Sequence, residues 1–181
     1  MKDEEIIKLL ELKETHDQAF RAILKTYKEK IYYHVRKIVI DHDDADDVTQ
    51  EAFIKIWRNL DKFRGDSKLY TWLYRIATNE ALTFLQKKRR DNSVSIDDNE
   101  ILVSNLESPK SDAYLDGDEI QIKLQKALLE LTDKQRIVFN LKYFENLKYE
   151  EIAEITETSV GGLKATYHFA VKKIEEYLTK H

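Results

Sequence analysis

Apolar positions recur at helical spacing along most of this chain. Phe20, Ile23, Leu24, Tyr27, Ile31 and Val35 mark one helix over Asp17–Val39, after a shorter one over Lys2–Lys13. Phe53, Ile56, Trp57 and Leu60 form the inner stripe of a helix that begins near Asp41–Asp47 and runs to about Leu60. Asp61–Lys68 reads as a loop with Gly65, and Leu69–Arg90 as one long helix that Ser67 can cap. The periodicity lapses through 91–117. It resumes with Ile120, Leu124, Ala127, Leu128 and Leu131, the apolar face of a helix over Asp118–Leu131. Thr132 and Gln135 then form a capping box for a helix over Asp133–Phe144. Leu147–Ile174 reads as two short helices joined by a tight turn at Thr156, Glu157 and Thr158. Ser159 is the expected N-cap of the second, with Leu163, Tyr167, Ala170 and Ile174 facing inward.

Composition turns this pattern into a fold class. One proline and four glycines in 181 residues predict an all-α protein. The aperiodic 91–117 stretch, with serines, asparagines, acids and that proline, predicts a flexible linker between domains at 1–90 and 118–181. There is no cysteine, which excludes a disulfide framework and any thiolate ligand or nucleophile. Neither a signal peptide nor a long apolar run is present, so a cytoplasmic protein is expected.

The net charge of −4 hides a strong asymmetry. Lys62–Arg90 carries eight Lys/Arg against two acids, and Asp91–Glu119 carries nine acids against one lysine. A local basic surface is enough to bind phosphates. The second helix of the terminal pair has three lysines and no acid between Ser159 and Lys173, with Gly161, Lys164, His168 and Lys172 opposite the apolar stripe. A helix-turn-helix presents a recognition helix to a DNA major groove in this way, although a helical hairpin with a solvated basic face has the same pattern. Within Leu69–Arg90, Tyr70, Trp72, Tyr74 and Phe84 interleave with Arg75, Asn79 and the terminal Lys87–Arg90 run. Rings beside cations suit single-stranded nucleic acid, and Tyr70 or Trp72 should then be partly exposed; core packing is the ordinary role of such rings. Asp47, Gln50, Glu51, Ile54 and Arg58 share a helix face that suits either solvent or a basic partner helix.

Several chemistries are missing. Asp41–Asp47 is acidic, but Ala45, Asp46 and Ala52 break the EF-hand pattern, and a helix start explains the acids. No phosphate loop, nucleophile elbow or His-Glu-x-x-His motif occurs. The reading is a non-enzyme with no metal, cofactor or small-molecule ligand.

Taken together, Asp44–Trp57 (DADDVTQEAFIKIW), Phe63–Asn79 (FRGDSKLYTWLYRIATN) and the stretch from Leu131 to Ile174 resemble a bacterial RNA polymerase sigma factor. The size and two-domain plan resemble the extracytoplasmic-function group, which keeps regions 2 and 4. That resemblance implies that Asp47, Gln50, Glu51 and Ile54 bind the clamp helices of the polymerase largest subunit. It implies that Phe63, Arg64, Lys68, Trp72, Arg75 and Asn79 read a melted −10 strand with a flipped base. Ser159, Gly161, Gly162, Lys164, Ala165, Thr166, His168 and Lys172 would read the −35 duplex, with the polymerase flap a further partner. An anti-sigma factor and a monomeric free state are also implied. The chain departs from the family pattern at Gly162, usually threonine, and at Thr166, Phe169 and Val171, often basic. A dimeric helix-turn-helix regulator and a helical adaptor are the alternatives.

Overall fold

The computed structural model describes residues 2–91 and 119–180, with side chains described from 122 in the second stretch. The stretch read as a linker lies outside them apart from Asp91. Every regular element among the described residues is helical.

In the N-terminal half, α1 (Asp3–Leu10), α3 (His42–Arg58) and α4 (Leu69–Asp91) pack around α2 (His16–Val39). Ile23, Ile31 and Val35 of α2, Ala52 and Ile56 of α3, and Leu73 and Ala77 of α4 are fully buried, each set at helical spacing. Asp41 caps α3, its Oδ1 accepting from the Asp44 N–H at 3.0 Å. Helix α3 stops at Arg58 rather than Leu60. The Asn59 amide donates to the Lys55 carbonyl at 2.6 Å, and one 3₁₀ turn, Leu60–Lys62, follows.

Helix α2 ends unusually. Ile40 is a buried β-branched residue at φ 71°, a conformation such residues rarely adopt. It is held there because the Ile40 and Asp41 N–H groups donate to the Arg36 and Val39 carbonyls, both at 2.9 Å. Two of the four terminal carbonyls of α2 are thereby satisfied. The other two are satisfied from the C-terminal half.

That half comprises α5 (Glu119–Leu129), α6 (Asp133–Phe139), α7 (Tyr149–Thr156) and α8 (Val160–Lys180). The Thr132–Gln135 capping box is formed, with bonds of 3.3 and 3.2 Å. The helix expected to run to Phe144 instead widens into one π turn over Asn140–Phe144. The wider turn accompanies a buried Asn140 whose amide donates to the Lys37 carbonyl of α2 at 3.1 Å. The Arg136 guanidinium, also buried, donates to the last free α2 carbonyl, Ile38, at 2.9 Å, and to Leu128 and Leu131 at 3.0 and 3.2 Å.

The two halves therefore close on each other. Ile137, Val138, Leu141, Ile152, Ile155 and Leu163 join one apolar cluster with the N-terminal core. Ala127, Leu128, Leu131, Phe139, Ala170 and Ile174 form a second cluster within the C-terminal half.

Candidate functional site

Three surfaces carry the residues that the sequence singled out. The first is α3. Asp47, Gln50, Glu51 and Ile54 are all exposed on it. Beside them runs an apolar groove of about 570 Å³ between α2 and α3, floored by Phe20, Leu24, Phe53, Ile54 and Trp57. Asp17, Arg21, Lys28 and Gln50 rim it. Trp57, expected on the inner stripe, is 43 % exposed, and Ile54 is 41 % exposed. The indole packs one side against Phe20, ring centroids 5.1 Å apart, and leaves the other side open. Periodicity could not separate Trp57 from Phe53 and Ile56, because a core stripe and a groove lip share the same spacing. Phe20 and Leu24, on the apolar spacing that marks α2, are half-buried and reach the groove floor for the same reason.

The second surface is a cleft of about 420 Å³ between α3 and α4. Of the expected −10 residues it gathers Trp72, Arg75 and Asn79. Trp72 is only 6 % exposed, so its ring is part of the floor rather than a free stacking platform. Tyr70 is the partly exposed ring of that pair. Phe63 packs edge-on against the Trp72 indole, centroids 5.3 Å apart, and holds it from behind. Arg64 is exposed on the loop. Gly65 sits at φ 75°, with open space around its Cα, so backbone conformation and not crowding calls for glycine there. The structure adds Lys55, Asn59, Lys62 and Thr83 to the cleft wall. Lys55 also pairs with Glu80 across the two helices. Thr83 follows Asn79 by one turn of α4, its hydroxyl donating to the Asn79 carbonyl at 2.8 Å; Lys55, Asn59 and Lys62 were assigned no role from the sequence, and only the α3–α4 packing places them opposite Arg75 and Asn79.

Lys68 lies elsewhere. Its ammonium reaches Glu151 of α7 at 2.7 Å, and the same carboxylate accepts from the Tyr70 hydroxyl. Partial burial alone would raise the Glu151 pKa. The bonds from Lys68, Tyr70 and the Lys148 N–H override it and hold the group near 2, while the carboxylate raises Lys68. Glu145 accepts from Tyr74 at 3.0 Å and pairs with Lys37 at 3.3 Å. Asp133 pairs with Arg89 at the far end of α4. Within the N-terminal bundle His34 is fully buried against Thr78 (2.8 Å), and burial, aided by Lys37, lowers its pKa to about 3.

The third surface is α7 and α8, joined through Glu157 at φ 53°. Ser159 caps α8 as expected, its Oγ accepting from the Gly162 N–H at 3.2 Å. A Cβ at position 162 would sit 3.2 Å from that Oγ, so glycine leaves the cap unobstructed. Gly161, Lys164, Ala165, His168 and Lys172 are exposed. The Thr166 hydroxyl donates back to the Gly162 carbonyl at 2.8 Å. Phe169 is 57 % exposed on the same helix.

No group of side chains among the described residues is arranged to hold a metal ion. No helix among them is long and apolar enough to cross a membrane.

Family models for Sigma-70 region 2 and Sigma-70, region 4 match residues 23–91 and 121–174. The chain is 37 % identical over 169 residues to the RNA polymerase sigma-H factor of Pseudomonas aeruginosa, covering 89 % of this chain and 86 % of that one. It is 34 % identical over 170 residues to the ECF RNA polymerase sigma factor SigW of Bacillus subtilis, covering 89 % of each. It is 35 % identical over 176 residues to the ECF sigma-E factor of Escherichia coli, covering 92 % and 91 %. Among solved structures it is similar in fold to the sigma factor RpoE of Bartonella quintana, solved in complex with the anti-sigma factor NepR. The TM-score is 0.73 at 24 % identity, over 88 % of this chain and 96 % of that one.

Proposed function

We propose that this chain, which belongs to the extracytoplasmic-function (ECF) group of RNA polymerase sigma factors, divides its work among the three surfaces just described. The α3 face of Asp47, Gln50, Glu51 and Ile54 docks on the clamp helices of polymerase core. The adjoining apolar groove, with Trp57 at its lip, takes apolar side chains of the same partner. The α3–α4 cleft takes an unstacked base of the opened −10 strand. Trp72 supplies an apolar floor, Asn79 an amide that can both donate and accept, and Arg75 a cation for the backbone. Helix α8 enters the −35 duplex with Lys164, His168 and Lys172 toward DNA. Residues 1–90 and 118–181 act as the two recognition domains.

No bond is made or broken by the protein in this scheme. Promoter opening is driven by differential affinity: a chain that binds unpaired bases and not paired ones shifts the melting equilibrium toward the open strand. Binding at the two elements holds the polymerase in register on the promoter. An anti-sigma factor is proposed as a further partner, since the neighbour from Bartonella quintana was solved with one. A cytoplasmic monomer that joins the larger enzyme fits these roles.

The observation that carries the reading is the cleft. It brings an indole, a guanidinium and an amide to one opening on the helix whose sequence matches region 2. Run-off transcription tests it. Bacterial core polymerase, this protein and promoter fragments from its own genome should give discrete transcripts. These should vanish with the Asp47→Ala, Gln50→Ala double variant and with Asn79→Ala. Core binding by the first variant at the wild-type level would refute the docking assignment.

A further inference from the structure

Phe169 lies within the face of α8 assigned to duplex DNA, and more than half of its side chain is exposed. Among the described residues it belongs to neither apolar cluster, and its ring meets the His168 imidazole edge-on, centroids 5.9 Å apart. The side chains one turn away are Ala165 and Thr166 on one side and Lys172 and Lys173 on the other. Thr166 turns its hydroxyl into the helix, onto the Gly162 carbonyl at 2.8 Å, and Val171 packs on the second apolar cluster. Of the uncharged side chains at 166, 169 and 171, only Phe169 therefore projects outward.

A phenyl ring can neither bond a phosphate nor satisfy the donors and acceptors on a base edge. In the major groove one apolar group suits it, the C5-methyl of thymine, which only an A·T pair presents. The surroundings favour DNA over an apolar protein partner. Three lysines and no acid lie between Ser159 and Lys173; such a face attracts phosphates, and an apolar partner would have to strip water from its ammonium groups. Ala165, exposed one turn before the ring, is too short to hold a base edge away from it.

We infer that Phe169 reads the −35 duplex by touching a thymine C5-methyl, so that one A·T pair is fixed by apolar contact rather than by hydrogen bonding. The inference rests on the assignment of α8 to that duplex. Lys172 and Lys173, one turn on, hold the backbone and set the depth of the ring in the groove.

The probe is a promoter fragment that the holoenzyme transcribes, with each −35 thymine of either strand replaced in turn by uracil. Uracil pairs as thymine does and lacks only the methyl. Holoenzyme binding is measured in the cold, where the strands stay paired. One uracil should weaken wild-type binding about fourfold, the value of one buried methyl. Phe169→Ala should weaken binding to the thymine fragment by at least that factor and lose the sensitivity to that uracil. Phe169→Leu, which keeps an apolar side chain, should retain part of it. Uracil penalties that persist unchanged in Phe169→Ala would overturn the inference, as would a wild-type series that is flat at every position. Loss of core-polymerase binding by Phe169→Ala would overturn it too and give the ring to a protein partner. The Lys164→Ala, His168→Ala double variant separates this inference from the assignment beneath it. If −35 protection from hydroxyl radical is unchanged in that variant, the α8 assignment fails and the methyl contact with it. If protection is lost while the uracil series is flat, α8 stays on the duplex and only the methyl contact is refuted.

Discussion

Trp57 offers the sharpest quantitative check on the docking surface. Its ring is anchored on Phe20 and 43 % exposed. A tryptophan presents about 250 Å² in all, so about 100 Å² remains for a partner to cover. At about 25 cal/mol per Å² that area is worth about 2.5 kcal/mol, or about 60-fold in affinity, when fully buried. Trp57→Ala should therefore weaken core-polymerase binding by about 30- to 60-fold. Titration of dye-labelled protein with core enzyme measures the dissociation constant directly. The truncation also removes the packing on Phe20 and should cost about 1–2 kcal/mol of stability, read from the urea midpoint. A folded Trp57→Ala protein whose affinity stays within about threefold of wild type would refute the reasoning, and the groove would then not be buried on docking.

Other outcomes follow from the interior. His34 titrates near 3 when folded and near 6.5 when unfolded, so the unfolded chain binds more protons between those values and stability falls as pH drops below about 6.5. Between pH 7.5 and 5 the loss should be about 2 kcal/mol by urea titration, and His34→Gln should flatten that slope. Arg136→Met keeps the aliphatic volume but removes the guanidinium donor from the carbonyls of Ile38 and Leu131, while Leu128 keeps the Leu131 N–H. It should cost about 2–4 kcal/mol, against less than about 0.5 kcal/mol for exposed Lys134→Met. Asn79→Ala should spare −35 duplex binding by the holoenzyme while reducing permanganate reactivity of the −10 thymines; equal loss of both would contradict the division between cleft and α8.

The helices were legible in the sequence because each depends on its own neighbours. Spacing of apolar residues placed α2 and α4 to within a residue or two, and the start of α8, which runs on to Lys180 past its expected end at Ile174. Local hydroxyl chemistry marked the caps at Thr132 and Ser159, and the acidic run marked the start of α3. The exposed cations of α8 and the polar face of α3 were equally readable, since a helix presents every third or fourth residue on one side whatever surrounds it. The family itself followed from motifs on those faces.

What the chain order hid is everything made by helices meeting. Lys55, Asn59 and Lys62 had no role assigned from the sequence, yet they stand across the cleft from Arg75 and Asn79. Trp57 obeys the core period and ends at a groove lip, because burial depends on what lies beyond the helix and not on its phase. The π turn at Asn140–Phe144 accompanies an amide that reaches an α2 carbonyl 103 residues earlier. The pairing of Lys68 with Glu151 spans 83 residues. Periodicity reports which side of a helix is apolar, and local hydrogen bonding reports where it starts. Neither carries the identity of the surface that the side will meet, which is decided by long-range packing once several helices compete for the same core.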